Sequence, residues 1–250
     1  MEGFSARLPR RAGAEADCLD EMHRLVAAAG FRVGAVVGRA ESDLTPEDRS
    51  YWKAFEGAQW FAPLPHDAAL LLGCGSAGRE RFGLVFGEAS LIGTVVNDSI
   101  TEDGLTRSAI DEKRWILSGP VEGAGAAYAS LRKSVKGAIE EFFEKAAPDD
   151  PLLAPLDAAA QRFREVYEKL SACVGKSDEL IATGTALLQS PSLSRRIAAG
   201  MGVPLTLSTE PEPAARGAAL WALERTGAIS HLEALPASTA AVIRPVAVTS

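Results

Sequence analysis

Apolar and polar residues alternate in a way that divides the chain into short strands and amphipathic helices. Phe82-Gly-Leu-Val-Phe-Gly and Leu91-Ile-Gly-Thr-Val-Val are apolar runs of strand length, joined across Gly87-Glu88-Ala89-Ser90. They predict the two strands of a hairpin. Arg114-Trp-Ile-Leu predicts a third strand, and a helix is expected from Gly123 to Val135, running on towards Lys145. Further on, Phe163, Val166, Tyr167 and Leu170 recur at helical spacing. Leu180-Ile-Ala then reads as a strand. Ser190-Pro191 opens a helix carrying Leu193, Ile197 and Met201. Val203-Pro-Leu-Thr-Leu reads as a strand, and Glu212–Arg225 as a helix stopped by Gly227. Strand–helix–strand–helix at these lengths implies right-handed crossovers and a partly parallel sheet. The fold class is α/β, a mixed sheet with helices on both faces.

The flanks differ from this block. Residues 1–44 read as an N-terminal extension. Its first 13 residues are rich in Arg, Gly and Ala, a helix carries Leu19, Met22 and Val26, and Phe31-Arg-Val-Gly-Ala-Val-Val is a strand. The domain proper is expected over 45–231. It opens with Thr45-Pro46-Glu47-Asp48, a capping hydroxyl, a first-turn proline and two acids at the positive end of a helix. That helix carries Tyr51, Trp52 and Phe55, and Gln59-Trp-Phe-Ala follows as a strand. Residues 232–250, rich in Ala, Pro, Ser, Thr and Val, read as a flexible tail.

Composition narrows the chemistry. Lys and Arg number 26 against 33 Asp and Glu, a net charge of −7, which argues against the basic surface that nucleic acid requires. The 3 cysteines (Cys18, Cys74, Cys173) form no CxxC and the 3 histidines lie far apart, so neither a disulfide framework nor a His/Cys zinc site is expected. A reducing cytoplasm is the natural compartment. Met1–Arg7 lacks a charged start followed by an apolar stretch, so no signal peptide is expected. Runs such as Ala68–Leu72 are too short to cross a bilayer.

Several motifs compete for attention. Gly73-Cys-Gly75-Ser-Ala-Gly78 matches GxGxxG, but a dinucleotide fingerprint must open a helix, and Arg79-Glu-Arg-Phe-Gly-Leu-Val leads into a strand. Gly175-Lys176-Ser177 imitates the end of a P-loop, but Leu170 stands where its first glycine belongs. Asp67 has two readings. It either caps a helix starting at Ala68, or takes a proton from a hydroxyl beside a glycine-rich hairpin. The Gly87–Ser90 turn is a plain hairpin turn or a phosphate-cradling loop of backbone amides, and Glu88 opposes the second reading because a carboxylate repels phosphate. Ala182-Thr-Gly184-Thr-Ala-Leu-Leu-Gln-Ser190-Pro is a strand, a glycine turn and a helix start, where parallel sheets receive ligands. In Glu210-Pro-Glu-Pro-Ala-Ala-Arg216-Gly217-Ala-Ala the small residues point to close helix packing.

Together these stretches resemble the C-terminal domain of the FGGY carbohydrate kinases, in particular the gluconokinase and xylulokinase branch. Trp60–Gly78 leading to Leu84-Val-Phe-Gly87-Glu-Ala-Ser is similar to the family's "GDGAxANxGSG…GTSG". Ile181-Ala-Thr-Gly184-Thr-Ala-Leu-Leu-Gln-Ser-Pro is similar to "xASGGALLRSP", and Thr209-Glu-Pro-Glu-Pro-Ala-Ala-Arg216-Gly-Ala-Ala-Leu to "AEPEASARGAAL". Asp111-Glu-Lys-Arg-Trp-Ile-Leu-Ser-Gly is a fainter match. The resemblance implies an actin-like ATPase (ribonuclease H-like) domain that binds ATP and Mg²⁺. It implies γ-phosphate transfer to a hydroxyl of a sugar or sugar acid. By match, Asp67 is the general base, Gly87 the phosphate loop, and Gly184 and Thr185 the adenosine turn.

The departures are specific. These residues contain no Asp-x-Gly-Thr, the family's first phosphate motif. Its Gly-Thr is Gly87-Glu88 here and its Gly-Gly is Gly184-Thr185. Pro148-Asp-Asp-Pro-Leu-Leu-Ala-Pro stands where a longer "GLxxLPFLxGERSPxW" segment belongs. The chain therefore reads as the nucleotide-side domain of a sugar kinase, incomplete alone. The alternative is a non-catalytic relative kept for binding or association. The partner implied is an N-terminal kinase domain or a second copy of this chain, and an unpartnered domain of this kind is expected to expose an apolar face.

Overall fold

The computed structural model describes residues 64–98 and 100–245. The elements expected over 1–44, the helix opening at Thr45 and the strand at Gln59 lie outside these residues. In chain order the described elements are α1 (His66–Cys74), β1 (Arg81–Val85), β2 (Leu91–Val96), β3 (Thr106–Ala109), β4 (Trp115–Pro120), α2 (Ala124–Ser134), α3 (Ile139–Lys145) and α4 (Ala154–Val174). They continue as β5 (Glu179–Thr183), α5 (Thr185–Gln189), α6 (Pro191–Met201), β6 (Leu205–Ser208), α7 (Pro213–Arg225) and β7 (Thr239–Ile243).

The strands form one seven-stranded sheet in the order β3-β4-β2-β1-β5-β6-β7. β1 and β2 are the expected antiparallel hairpin, with Gly83 opposite Gly93. β1, β5 and β6 run parallel, with Val85 beside Thr183 and Ala182 beside Leu207. The side-chain period of two sends Phe82, Leu84, Phe86, Ile92, Leu117 and Ala182 to one face. There they meet Phe163 and Leu170 of α4 and Leu193 and Ile197 of α6. Phe86 stacks on Phe163 at 6.1 Å between ring centroids, and Phe82 meets Tyr167 edge-on at 5.7 Å.

α1 and α7 cover the other face. α1 lies across the strands rather than along them. Asp67 at its start bonds Ser108 on β3. In mid-helix Leu71 packs on Gly83 and Gly93, and Gly75 at its end faces Ile181 on β5. The crossing needs bare backbone: a Cβ on Gly83 or Gly93 would stand 2.6 and 2.7 Å from the Leu71 methyls. α7 presses equally hard on α1. A Cβ on Gly73 would lie 1.6 Å from the Pro213 carbonyl oxygen, and one on Gly217 would lie 1.9 Å from that of Ala69. The Arg216 guanidinium donates to the Gly73 carbonyl at 2.6 Å. The close packing expected of Gly217 is what these distances describe.

Two expectations are corrected, and one strand was not expected. The helix drawn from Gly123 to Lys145 is two helices, interrupted where Gly137 adopts φ 114°, a left-handed value that glycine tolerates and other residues resist. β3, Thr-Arg-Ser-Ala, escaped notice because it carries no apolar period. The flexible tail expected over 232–250 is instead ordered as far as Arg244. β7 pairs antiparallel with β6, with Thr206 opposite Val242. The segment before it is tied down by Arg81, which donates to the carbonyls of Leu235 at 2.9 Å and Glu233 at 2.8 Å. Alternating small and β-branched residues suit an edge strand, and composition alone did not distinguish that from a coil. Among the described residues no helix is long and apolar enough to cross a membrane.

An ion-pair network ties β4 to α7. Arg114, only 15% exposed at its side chain, pairs with Asp111 and Glu224, and more distantly with Glu233 at 3.6 Å. Burial pushes the Asp111 carboxyl upward, but hydrogen bonds from the Arg114 guanidinium and from the Lys113 and Arg114 N–H groups outweigh it and hold the group below its ordinary 3.8. A carboxylate depressed in the folded state adds stability above its unfolded pKa and loses it as pH falls through the folded value. Acid unfolding is therefore expected to draw on this network below about pH 4. Arg114→Ala leaves Asp111 and Glu224 facing each other without their cation. We expect it to cost about 2–3 kcal/mol in urea unfolding at pH 7, with the loss shrinking below pH 4.

Candidate functional site

The carboxyl ends of the parallel strands β1 and β5 carry two of the residues singled out in the sequence. The Phe86 N–H donates to the Thr183 carbonyl at 2.9 Å, so the hairpin turn and the β5–α5 connection leave the sheet side by side. Gly184 has φ 124°, and a Cβ there would stand 2.0 Å from the Phe86 oxygen. Any other residue would force β1 and β5 apart. Thr185 follows as the exposed first residue of α5. Ser190 then caps α6, accepting the Leu193 N–H at 3.1 Å, and donates to the Glu140 carboxylate. That carboxylate also accepts the Ser192 N–H at 3.2 Å. Partial burial raises the Glu140 pKa, but these hydrogen bonds prevail and the net shift is downward. Thus α3 is fastened to the start of α6, just beyond the Gly184 turn.

Gly87 lies at the hairpin turn with open space where its Cβ would be. Its N–H, however, donates to Ser90 Oγ at 2.9 Å, and Ser90 Oγ donates back to the Gly87 carbonyl at 2.6 Å. The amide that a phosphate would use is already occupied by a side chain. Glu88 is exposed at the tip, and the start of α2 closes on the turn from behind, where a Cβ on Gly125 would lie 2.3 Å from the Gly87 oxygen. The turn is accessible, but its Gly87 amide is not free for an anion.

Asp67 stands apart from this pair. The helix starts at His66, so Asp67 sits within the first turn instead of capping it. Its Oδ1 accepts the Ala68 N–H at 2.9 Å and its Oδ2 accepts the Ser108 hydroxyl at 2.9 Å. Ser108 pairs with Ile116, whereas the row containing Val85 and Leu91 ends on Pro120. Four residues along β4 place Asp67 roughly 13 Å from the Val85 level along the strands, and Gly87 lies two residues further on. The carboxylate is half-buried and faces the sheet through one serine. The structure brings together Gly87, Gly184 and Thr185, and sets Asp67 over a different strand. Ser90 and Ser108 were missed in the sequence; isolated serines in strands and turns give no signal of their bonding.

Among the described residues one cluster of potential metal ligands occurs, and its carboxylates are already paired. Among the described residues, Glu224, His231 and Glu233 bring ligand atoms within 4.8 Å of one another, but Arg114 pairs with both glutamates. Among the described residues the apolar face expected of an unpartnered domain is not seen. The exposed large hydrophobics there are Leu152 in the turn before α4, Leu223 on α7 and Val242 on β7.

The fold is shared with sugar and polyol kinases of the FGGY type, an actin-like ATPase fold. Over 89% of this chain and 56% of the other, it superposes on a ligand-bound xylulose kinase from Lactobacillus acidophilus with a TM-score of 0.71 at 15% identity. A gluconate kinase from the same organism gives 0.70 at 15% identity, over 90% and 56%. Plasmodium falciparum glycerol kinase with ADP gives 0.68 at 12% identity, over 90% and 55%. The chain thus spans little more than half the length of these enzymes. No family model matches the sequence, and no curated protein matches it.

Proposed function

We propose that this chain is the nucleotide-side domain of a carbohydrate-kinase fold, binding an adenine nucleotide at the Gly184 turn without transferring phosphate on its own. The observation that carries the reading is the close seating of Gly184 on Phe86 at the carboxyl edge of β1 and β5, where a parallel sheet receives ligands. The turn at Gly184 would meet the nucleotide, and magnesium would arrive held by the nucleotide's own phosphates, as that ion commonly does. ATP, when bound, would supply the transferable phosphoryl group. Asp67 would act on a sugar hydroxyl as a base, and Ser108 would orient its carboxylate. Transfer also needs the phosphates clamped and aligned with that hydroxyl. The Ser90–Gly87 bonds and the place of Asp67 argue that this chain lacks the clamp, and that an N-terminal kinase domain or a second copy would have to provide it.

A second reading, a non-catalytic relative that uses the fold for binding or association, is favoured by the same occupied Gly87 amide and by Glu88 at the tip. A coupled ADP-release assay with ATP and Mg²⁺ tests catalysis, using gluconate, xylulose and glycerol as acceptors. We expect no acceptor-dependent turnover from the purified chain. Turnover that disappears in Asp67→Asn would make the chain a complete kinase and overturn the proposal.

A further inference from the structure

Thr183 ends β5, immediately before Gly184. It is 1% exposed, and its Oγ1 has no hydrogen-bond partner. Among the described residues Ser171 Oγ on α4 and Ser177 Oγ before β5 are also unpaired, but neither lies at the carboxyl end of a strand. The buried hydroxyls of Ser76, Ser90, Thr94, Ser190 and Ser194 all donate to a neighbour, and Ser208 accepts the Glu210 N–H at 3.1 Å. A buried hydroxyl left unpaired is destabilising, and each instance calls for a reason.

Its position supplies one. Leu180 and Ala182 point to the α4–α6 face, so the alternation sends Thr183 to the α1–α7 face, as it does Ile181. Thr183 and Ser208 each lie one residue beyond the Ala182–Leu207 pair, at the ends of neighbouring parallel strands. Two connections leave the sheet there, β5 to α5 through Gly184 and β6 to α7 through residues 209–212. The space between such connections is where open α/β sheets receive ligands. The β6 connection contributes Glu210 and Glu212, and among the described residues Glu210 alone has a cation nearby, Arg216 at 3.6 Å. An acidic margin disfavours phosphate and suits neutral hydroxyl donors.

We infer that Thr183 Oγ1 is a ligand-binding hydroxyl that pairs with a ribose hydroxyl of the nucleotide. This rests on the nucleotide reading above and assigns the sugar of the nucleotide, not its phosphates, to the Thr183–Glu212 side of the site. The hydroxyl is held unpaired in the free protein and is satisfied on binding.

The test compares the full chain with Thr183→Val, which keeps the shape, and Thr183→Ser, which keeps the hydroxyl. Thermal melts of the free proteins are followed by calorimetric titration with ADP, 2′-deoxy-ADP and 3′-deoxy-ADP. The valine variant should melt no lower than wild type, because it loses an unpaired hydroxyl and no partner. It should bind ADP about tenfold more weakly, while the serine variant keeps most of the affinity. One of the deoxy nucleotides should bind wild type about tenfold more weakly than ADP does, and that difference should vanish in the valine variant. A valine variant that melts lower means that the hydroxyl already has a partner and overturns the inference. So does equal ADP affinity, which would leave the hydroxyl holding a buried water only. Wild-type protein that melts cooperatively but binds no ADP overturns the nucleotide reading itself, and this inference with it.

Discussion

Gly217→Leu is expected to prevent the domain from folding. The Cβ alone would stand 1.9 Å from the Ala69 carbonyl oxygen and 2.8 Å from the Gly73 nitrogen, both backbone atoms that cannot rotate aside. α1 and α7 would have to part, exposing Ala69, Leu72 and Trp221 and stretching the Arg216 bond to Gly73. Overpacking usually costs about 1–3 kcal/mol. Here a whole helix pair must separate, and we expect at least about 4 kcal/mol, a large part of a domain's stability. Soluble yield and urea unfolding read the effect. A Gly217→Leu protein with a wild-type midpoint would show that the two helices do not cross as described.

Gly184→Val has the second largest expected effect, and it reaches the site as well as the fold. At φ 124° and ψ 134° a β-branched residue is strained by about 1–3 kcal/mol before any contact is counted. The Phe86 oxygen 2.0 Å away then forces β1 from β5 and breaks the Phe86–Thr183 hydrogen bond. We expect a loss of about 3 kcal/mol or more in urea unfolding, and no measurable ADP binding in whatever fraction folds. Gly87→Ala is the internal control. Nothing lies within 4 Å of its Cβ and its φ is not left-handed, so stability should stay within about 0.5 kcal/mol. A destabilised Gly87→Ala beside a tolerated Gly184→Val would reverse the roles assigned to the two turns.

The hairpin and the two strand–helix units were legible in the sequence because apolar runs of strand length alternate there with helical spacing. Leu180-Ile-Ala and Val203-Pro-Leu-Thr-Leu each precede a strong helix start, and both strands are in the sheet. β3 was not legible, since Thr106–Ala109 is mostly exposed and is held by backbone pairing to β4, which leaves no side-chain pattern. β7 failed for a related reason: Thr239–Val242 is exposed edge, and what orders it is the distant Arg81 gripping Leu235 and Glu233. The site divides in the same way. Gly184 announced itself as a glycine between a strand and a helix. The occupation of the Gly87 amide by Ser90, the tether of Asp67 to Ser108 and the unpaired Thr183 hydroxyl are facts of side-chain bonding that spacing along the chain does not encode.

The most direct test of the account is calorimetric titration of the folded wild-type chain with ADP, without any sugar. The nucleotide reading proposed for the Gly184 turn, at the carboxyl edge of parallel strands, predicts saturable binding of one ADP per chain. Gly184→Ala, if it folds, should weaken that binding, whereas Gly87→Ala should not. A cooperatively folded chain that takes up no ADP at concentrations up to about 1 mM would contradict the account.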